Sequence, residues 1–201
     1  MKRVSYELYT IPLPFVLWFV TFKEPLLGFW PTLTASASIL LLVSLPRWGA
    51  ATFTFDIRQI VIGIASGLLL YLFFWSGFQV AKSIPGFTQT ISSVYELRGG
   101  IGTTQIAEVL LFPIGPAEEL YWRGMVQSYF RERLSTNKAL LITASLYALI
   151  HLPTLNPSLL FVALVGGLVW GYLFNRFKRI LPVVASHVLF VEMIFVLAPI
   201  S

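Results

Sequence analysis

Residues 57–80 form a nearly continuous apolar run whose single charge, Arg58, stands at its very start. About 20 consecutive apolar residues cross the hydrocarbon core of a bilayer, and a helix is the single-segment structure that satisfies its own backbone hydrogen bonds there. Further apolar runs occupy residues 8–22, 29–45, 106–130, 139–152, 159–174 and 181–200, several of them short of a full span, 8–22 and 139–152 most so. The chain is 57% hydrophobic and 11% charged, which leaves too little polar surface to solvate a soluble globule. The expected fold is therefore all-α, a polytopic transmembrane helical bundle of about seven spans in one membrane domain, residues 1–201.

The placement of charge gives this bundle an orientation. With the N-terminus cytoplasmic, Lys2, Arg3, Arg47, Arg58, Arg131, Arg133, Lys138, Arg176, Lys178 and Arg179 fall inside, while Lys23, Lys82 and Arg98 fall outside. That asymmetry follows the positive-inside rule and puts the C-terminus outside, in a multi-pass membrane protein. The net charge of +5 is thus a topology signal, with membrane lipid as the expected partner and no nucleic acid. Trp30, Trp48 and Trp75 lie near expected span ends, where interfacial anchors belong. Lys2 and Arg3 before an apolar stretch, with Ala35-Ser36-Ala37 further on, resemble a cleavable leader. Lys23 and Glu24 interrupt the apolar region well before that triplet, so the segment is expected to remain in the mature chain.

A polar connection over residues 82–105 divides three N-terminal spans from a four-span C-terminal block. Within that block Glu118 and Glu119 stand side by side in apolar sequence, with Arg123 four residues beyond Glu119. Charge in hydrocarbon is expensive unless paired or hydrated, so such a cluster marks a functional site by default. Pro113, Gly115 and Pro116 interrupt the run just before it, and a new helix is expected to start near Pro116, with the two acids in its first turn. Residues four apart share a helix face, so Glu119 and Arg123 can pair, while Glu118 points about 100° away and is free to face a cavity.

Both histidines of the chain, His151 and His187, also fall in apolar runs of this block. At about 1.5 Å rise per residue, Glu118 and His151 each lie about 20 Å from the cytoplasmic charges, and His187 about 12 Å from Arg179, which helix tilt reconciles. One carboxylate with two imidazoles suits water activation: the acid takes a proton from water, one imidazole orients that water or protonates the leaving amine, and the other stabilises the oxyanion. The same three groups are also a possible two-histidine, one-carboxylate zinc set, although no His-Glu-x-x-His helix is present. The chain has no cysteine, so thiolate nucleophiles and cysteine-ligated metals are excluded. Proton-coupled transport through buried acids and histidines is a weaker reading, because the inverted halves of many carriers are not visible.

Glu118-Glu119-Leu120-Tyr121-Trp122-Arg123 resembles the EExxxR motif of the CAAX protease and bacteriocin-processing (CPBP, or Abi) family of intramembrane endopeptidases. Tyr147 to His151 is similar to that family's second motif, FxxxH, with tyrosine in place of phenylalanine, and His187 falls where its third motif, HxxxN or HxxxD, places histidine. The resemblance covers residues 105–199 and leaves residues 1–100 as N-terminal spans and loop. It implies a glutamate-type protease without a cofactor, in which Glu118 activates water with His151, His187 forms the oxyanion site, and Glu119 with Arg123 forms the scaffold. The position four after His187 departs from the pattern: it is Val191, which removes an amide donor from the His187 face. Glu192 beside it points about 100° away and, when ionised, is an acceptor. The expected activity is hydrolysis of a peptide bond in a membrane-associated substrate. The alternative is a catalytically impaired membrane scaffold or regulator of the same fold, which Val191 favours.

Overall fold

A computed structural model describes residues 6–49 and 53–200; Lys2 and Arg3 lie outside the described residues. Every regular element among the described residues is a helix. In chain order these are α1 (Tyr6–Thr10), α2 (Leu13–Lys23), α3 (Phe29–Ser44), α4 (Ile57–Ala81), α5 (Phe87–Glu96), α6 (Thr103–Val109), α7 (Gly115–Glu119), α8 (Ser128–Arg131), α9 (Thr136–Leu149), α10 (Pro157–Phe177) and α11 (Leu181–Glu192). Wider π-type turns over Leu110–Ile114, Leu120–Gln127 and Met193–Leu197 join or extend them. Among the described residues, three helical stretches are long and apolar enough to cross a membrane: Phe29–Arg47, Ile57–Ala81 and Pro157–Phe177. This is the make-up of an integral, multi-pass membrane protein. The remaining apolar runs fold as shorter helices; Leu181–Leu197, for example, is apolar but below that length.

α4 shows how the sequence sets a span. The Asp56 side chain accepts from the backbone N–H groups of Arg58 and Gln59 at 3.0 and 3.4 Å, satisfying two orphan donors at the helix start. One face carries Gly63, Gly67, Leu70, Tyr71 and Phe78, all buried, while Val61, Ile62, Leu69 and Phe73 are exposed on the side expected to meet lipid. The buried face packs along α11. Any Cβ at Gly63 would collide with the Pro182 carbonyl oxygen, and one at Gly67 would stand 2.5 Å from the Ser186 carbonyl oxygen. Small residues are therefore required for the two backbones to approach this closely, as at other membrane helix interfaces. α10 begins on Asn156, whose side chain accepts from Leu159 N–H at 2.9 Å, and ends on Lys178 in the left-handed region (φ 54°).

The apolar run over residues 106–130 is interrupted where its prolines stand, and a new helix, α7, starts at Gly115 with Pro116 in its first turn, as expected. The helical backbone is interrupted at Phe112 (φ −160°, ψ 127°), and helical dihedrals have resumed by Ile114. Pro113 supplies no N–H and disfavours helical dihedrals in the residue before it, which places the interruption at Phe112. Glu118 thus stands in the first turn of α7 and Glu119 at its last residue, with the Tyr147 hydroxyl on Glu118 and Arg123 on Glu119.

The polar connection after α4 contains the helix α5. Asn156 Nδ2 donates to the Thr90 carbonyl at 2.6 Å and to Ser93 Oγ at 3.0 Å, and Thr90 and Ser158 share a hydroxyl hydrogen bond of 2.7 Å, which fastens α5 to the start of α10. Of the three tryptophans read as span-end anchors, Trp75 is exposed, whereas Trp30 is buried in the core and stacks edge-on with Phe195. Its ring is used for packing because α3 turns that face inward.

Candidate active site

The acid pair divides its work between two environments. Glu119 and Arg123 are completely buried, and Glu119 Oε1 accepts from Arg123 Nη1 at 2.9 Å and from His187 Nδ1 at 2.7 Å. Arg123 donates a further hydrogen bond from Nη2 to the Gly167 carbonyl at 3.2 Å, and its guanidinium lies over the rings of Tyr147 and Trp170, 4.9 and 5.5 Å from their centroids. A buried cation held on one side by carboxylate and on two others by aromatic faces is well compensated in a low-dielectric interior. Gly167 makes this possible, since a Cβ there would press on Ala144 and Tyr147 at 3.3 Å.

Glu118, by contrast, has no cationic partner within hydrogen-bonding distance among the described residues. Its Oε2 accepts from the Tyr147 hydroxyl at 2.8 Å, and the residue lines a chamber of about 550 Å³. Tyr147, His151, Trp170, His187 and Val191 line the same chamber, whose walls are otherwise mostly aromatic and aliphatic, with the hydroxyls of Thr90, Tyr95 and Ser158 among them. The structure therefore gathers Glu118, His151 and His187, from α7, the turn after α9 and α11, around one space, and keeps Glu119 and Arg123 in the packed wall behind it.

The hydrogen bonds of both imidazoles fix which nitrogen carries a proton. His151 Nδ1 lies 3.0 Å from the Tyr147 carbonyl oxygen, which can only accept, so Nδ1 is protonated and a neutral ring presents Nε2 as an acceptor. His187 Nδ1 donates to Glu119 in the same way. Its ring is stacked on Trp170, with centroids 3.9 Å apart and an interplanar angle of 23°. The edges of Trp18 and Phe22 close on His151 at 6.4 and 5.9 Å. Both rings are thus held in orientation by aromatic neighbours.

These residues fit zinc poorly. Among the described residues no group of three His, Asp or Glu side chains is gathered closely enough to hold one ion.

Sequence reasoning overlooked two residues that shape this site. Tyr147 entered as the first residue of a motif, yet its hydroxyl, its carbonyl and its ring each bond or pack to a site residue. An aromatic side chain one turn before His151 is the signal that pointed there. Trp170 had no such signal, because its contact with His187 joins two helices.

Residues 102–192 match the family model described as Type II CAAX prenyl endopeptidase Rce1-like. The matched segment runs from the start of α6 to the end of α11, contains all five candidate site residues, and covers somewhat less than half of the chain. A CAAX protease-like domain therefore occupies that segment, slightly displaced from the 105–199 expected from the motifs. No curated protein and no solved structure matches the chain.

Proposed function

We propose that this protein is an intramembrane endopeptidase of the CAAX prenyl protease type, hydrolysing a peptide bond in a membrane-associated protein or peptide by glutamate-activated water. The observation that carries the reading is the inequality of the two acids. Glu119 is consumed by Arg123 and His187, whereas Glu118 lines the chamber with one hydroxyl donor and two imidazoles nearby. Glu118 is the general base, abstracting a proton from a water that His151 Nε2 orients. His187 is the oxyanion donor. Because its Nδ1 proton is committed to Glu119, Nε2 donates only when both ring nitrogens carry protons. Glu119 and Arg123 are the scaffold that holds His187.

In this reading residues 1–201 form one membrane domain, with the shorter apolar helices also in the bilayer, about seven spans in all, the N-terminus cytoplasmic and the C-terminus outside. Residues 1–100 supply N-terminal spans and the α5 wall, and membrane lipid and a membrane-associated substrate are the partners. The test is cleavage of an internally quenched peptide ending in a farnesylated CAAX tail, reconstituted with the full chain in phospholipid vesicles. Glu118→Gln and His151→Ala are each expected to abolish turnover; full activity in either variant ends the proposal.

Val191 supports a second reading. It lines the chamber one turn after His187 and brings no hydrogen-bond donor, as expected of a scaffold or regulator that has lost turnover. A cellular phenotype that survives Glu118→Ala but not deletion of the protein identifies that case.

A further inference from the structure

Tyr147 sits where the two halves of the proposed base meet. Its hydroxyl donates to Glu118 Oε2 at 2.8 Å, its carbonyl accepts from His151 Nδ1 at 3.0 Å, and its ring packs on Arg123 and Trp170. The chamber's other hydroxyls are committed elsewhere: Thr90 donates to the Phe87 carbonyl at 2.7 Å and is paired with Ser158, and Tyr95 donates to the Ile194 carbonyl at 3.2 Å. Those partners keep their charge throughout a hydrolysis. The partner of Tyr147 does not, if Glu118 is the base.

We propose that the Tyr147 hydroxyl is a catalytic donor that holds Glu118 in the resting site and passes to the oxyanion as it forms, supplying what Val191 lacks. The inference rests on Glu118 acting as the base. In the attack step one O–H bond of water breaks and its proton goes to Glu118, while the water oxygen bonds to the carbonyl carbon and the π pair moves onto the carbonyl oxygen. Negative charge leaves Glu118 and appears on that oxygen. A neutral carboxylic acid is a weaker acceptor than a carboxylate, so the phenol O–H turns toward the new charge. Tyr147 transfers no proton; collapse of the tetrahedral centre breaks the C–N bond, and the leaving amine takes the proton from Glu118. Neutral His151 cannot serve this donor role, since Nε2 is its acceptor face.

The test uses the full chain in vesicles with the farnesylated quenched peptide as probe. Tyr147→Phe is expected to lower kcat on the order of 100-fold with little change in KM, the loss typical of one oxyanion donor. Adding Val191→Asn, an amide one turn from His187, to Tyr147→Phe recovers roughly tenfold or more, while Val191→Asn alone changes kcat far less. A tyrosine with a merely structural role gives no such non-additivity. Native kcat in Tyr147→Phe, or a loss that Val191→Asn leaves untouched, overturns the inference. Difluorotyrosine at position 147 provides a variant of nearly native shape with a stronger donor, should Tyr147→Phe not fold; an unchanged kcat there also overturns it. Glu118→Gln separates the two levels. If Glu118→Gln cleaves the probe at the native rate, the base reading fails; if it is inactive and Tyr147→Phe is unimpaired, the role of Tyr147 alone fails.

Discussion

His187 Nδ1 and Glu119 Oε1 lie 2.7 Å apart although 68 residues separate them in the chain, and the same oxygen accepts from Arg123. One buried carboxylate thus ties the helix of the acid pair to the helix of the second histidine. Its chamber-facing neighbour, Glu118, is held by a hydroxyl, that of Tyr147 on α9, and not by a cation.

That contrast predicts opposite behaviour for two isosteric changes. Glu119→Gln leaves Arg123 as an uncompensated buried charge and is expected to destabilise the fold by about 3–5 kcal/mol. Glu118→Gln removes no ion pair and is expected to abolish turnover with a much smaller loss of stability. Thermal unfolding and cleavage measured on both variants check the pair; equal destabilisation would show that the acids share one structural role.

The close seat of α11 on α4 makes Gly67 a remote determinant of activity. A Cβ there would stand 2.5 Å from the Ser186 carbonyl oxygen, and Ser186 precedes His187. Gly67→Ala is expected to cost about 1–3 kcal/mol through overpacking and to lower kcat by shifting His187. Denaturation midpoints and kcat of Gly67→Ala, set beside those of Gly77→Ala, whose Cβ would meet nothing within 4 Å, distinguish this from a general effect of removing glycine.

Trp170 orients the His187 ring by stacking at 3.9 Å. Trp170→Ala is expected to cost about 3–5 kcal/mol as a buried aromatic truncation, and Trp170→Phe, which keeps a ring face, much less. Turnover should fall in the order Trp, Phe, Ala. Loss of the ring-current displacement of the His187 C–H proton signals in the alanine variant gives a check that does not depend on activity.

Outside the membrane-spanning segments, Glu132 accepts from Arg47 at 2.8 and 3.2 Å, and this hydrogen bonding holds its carboxyl below the ordinary 4.5. A carboxyl depressed in the folded state contributes stability that is present above about pH 4.5 and is lost as pH falls through the folded value. The native chain should therefore exceed Glu132→Gln in thermal stability at about pH 6, and the difference should shrink as pH falls below about 4.5 and through the lowered folded value. Because Glu132 is half exposed, the gain at neutral pH is under about 1 kcal/mol. A gap that widens on acidification contradicts this account.

Local rules made part of the site legible. Glu119 and Arg123 share a face because they are four apart on a helix, and Glu118 must point elsewhere for the same reason. The interruption before the acids and the helix restart beside Pro116 were both legible as proline effects, and the structure adds that the non-helical residue is Phe112, just before Pro113. The link between His187 and Glu119 obeys no local rule. Neither do the stack of Trp170 on His187, the Tyr147 hydroxyl on Glu118, or the inward turn of Trp30, since each depends on how helices rotate against one another.

From its sequence alone the chain was bound to be helical and to live in lipid, because apolar runs of this length leave the backbone no other way to satisfy its hydrogen bonds. Sequence also confined the chemistry to a few ionisable groups, since burying more would have been too costly. Tertiary structure decided which acid is tied up and which faces open space. Side-chain contacts across helices depend on close packing of whole surfaces, where a single missing Cβ, as at Gly67 or Gly167, sets how near two backbones can come.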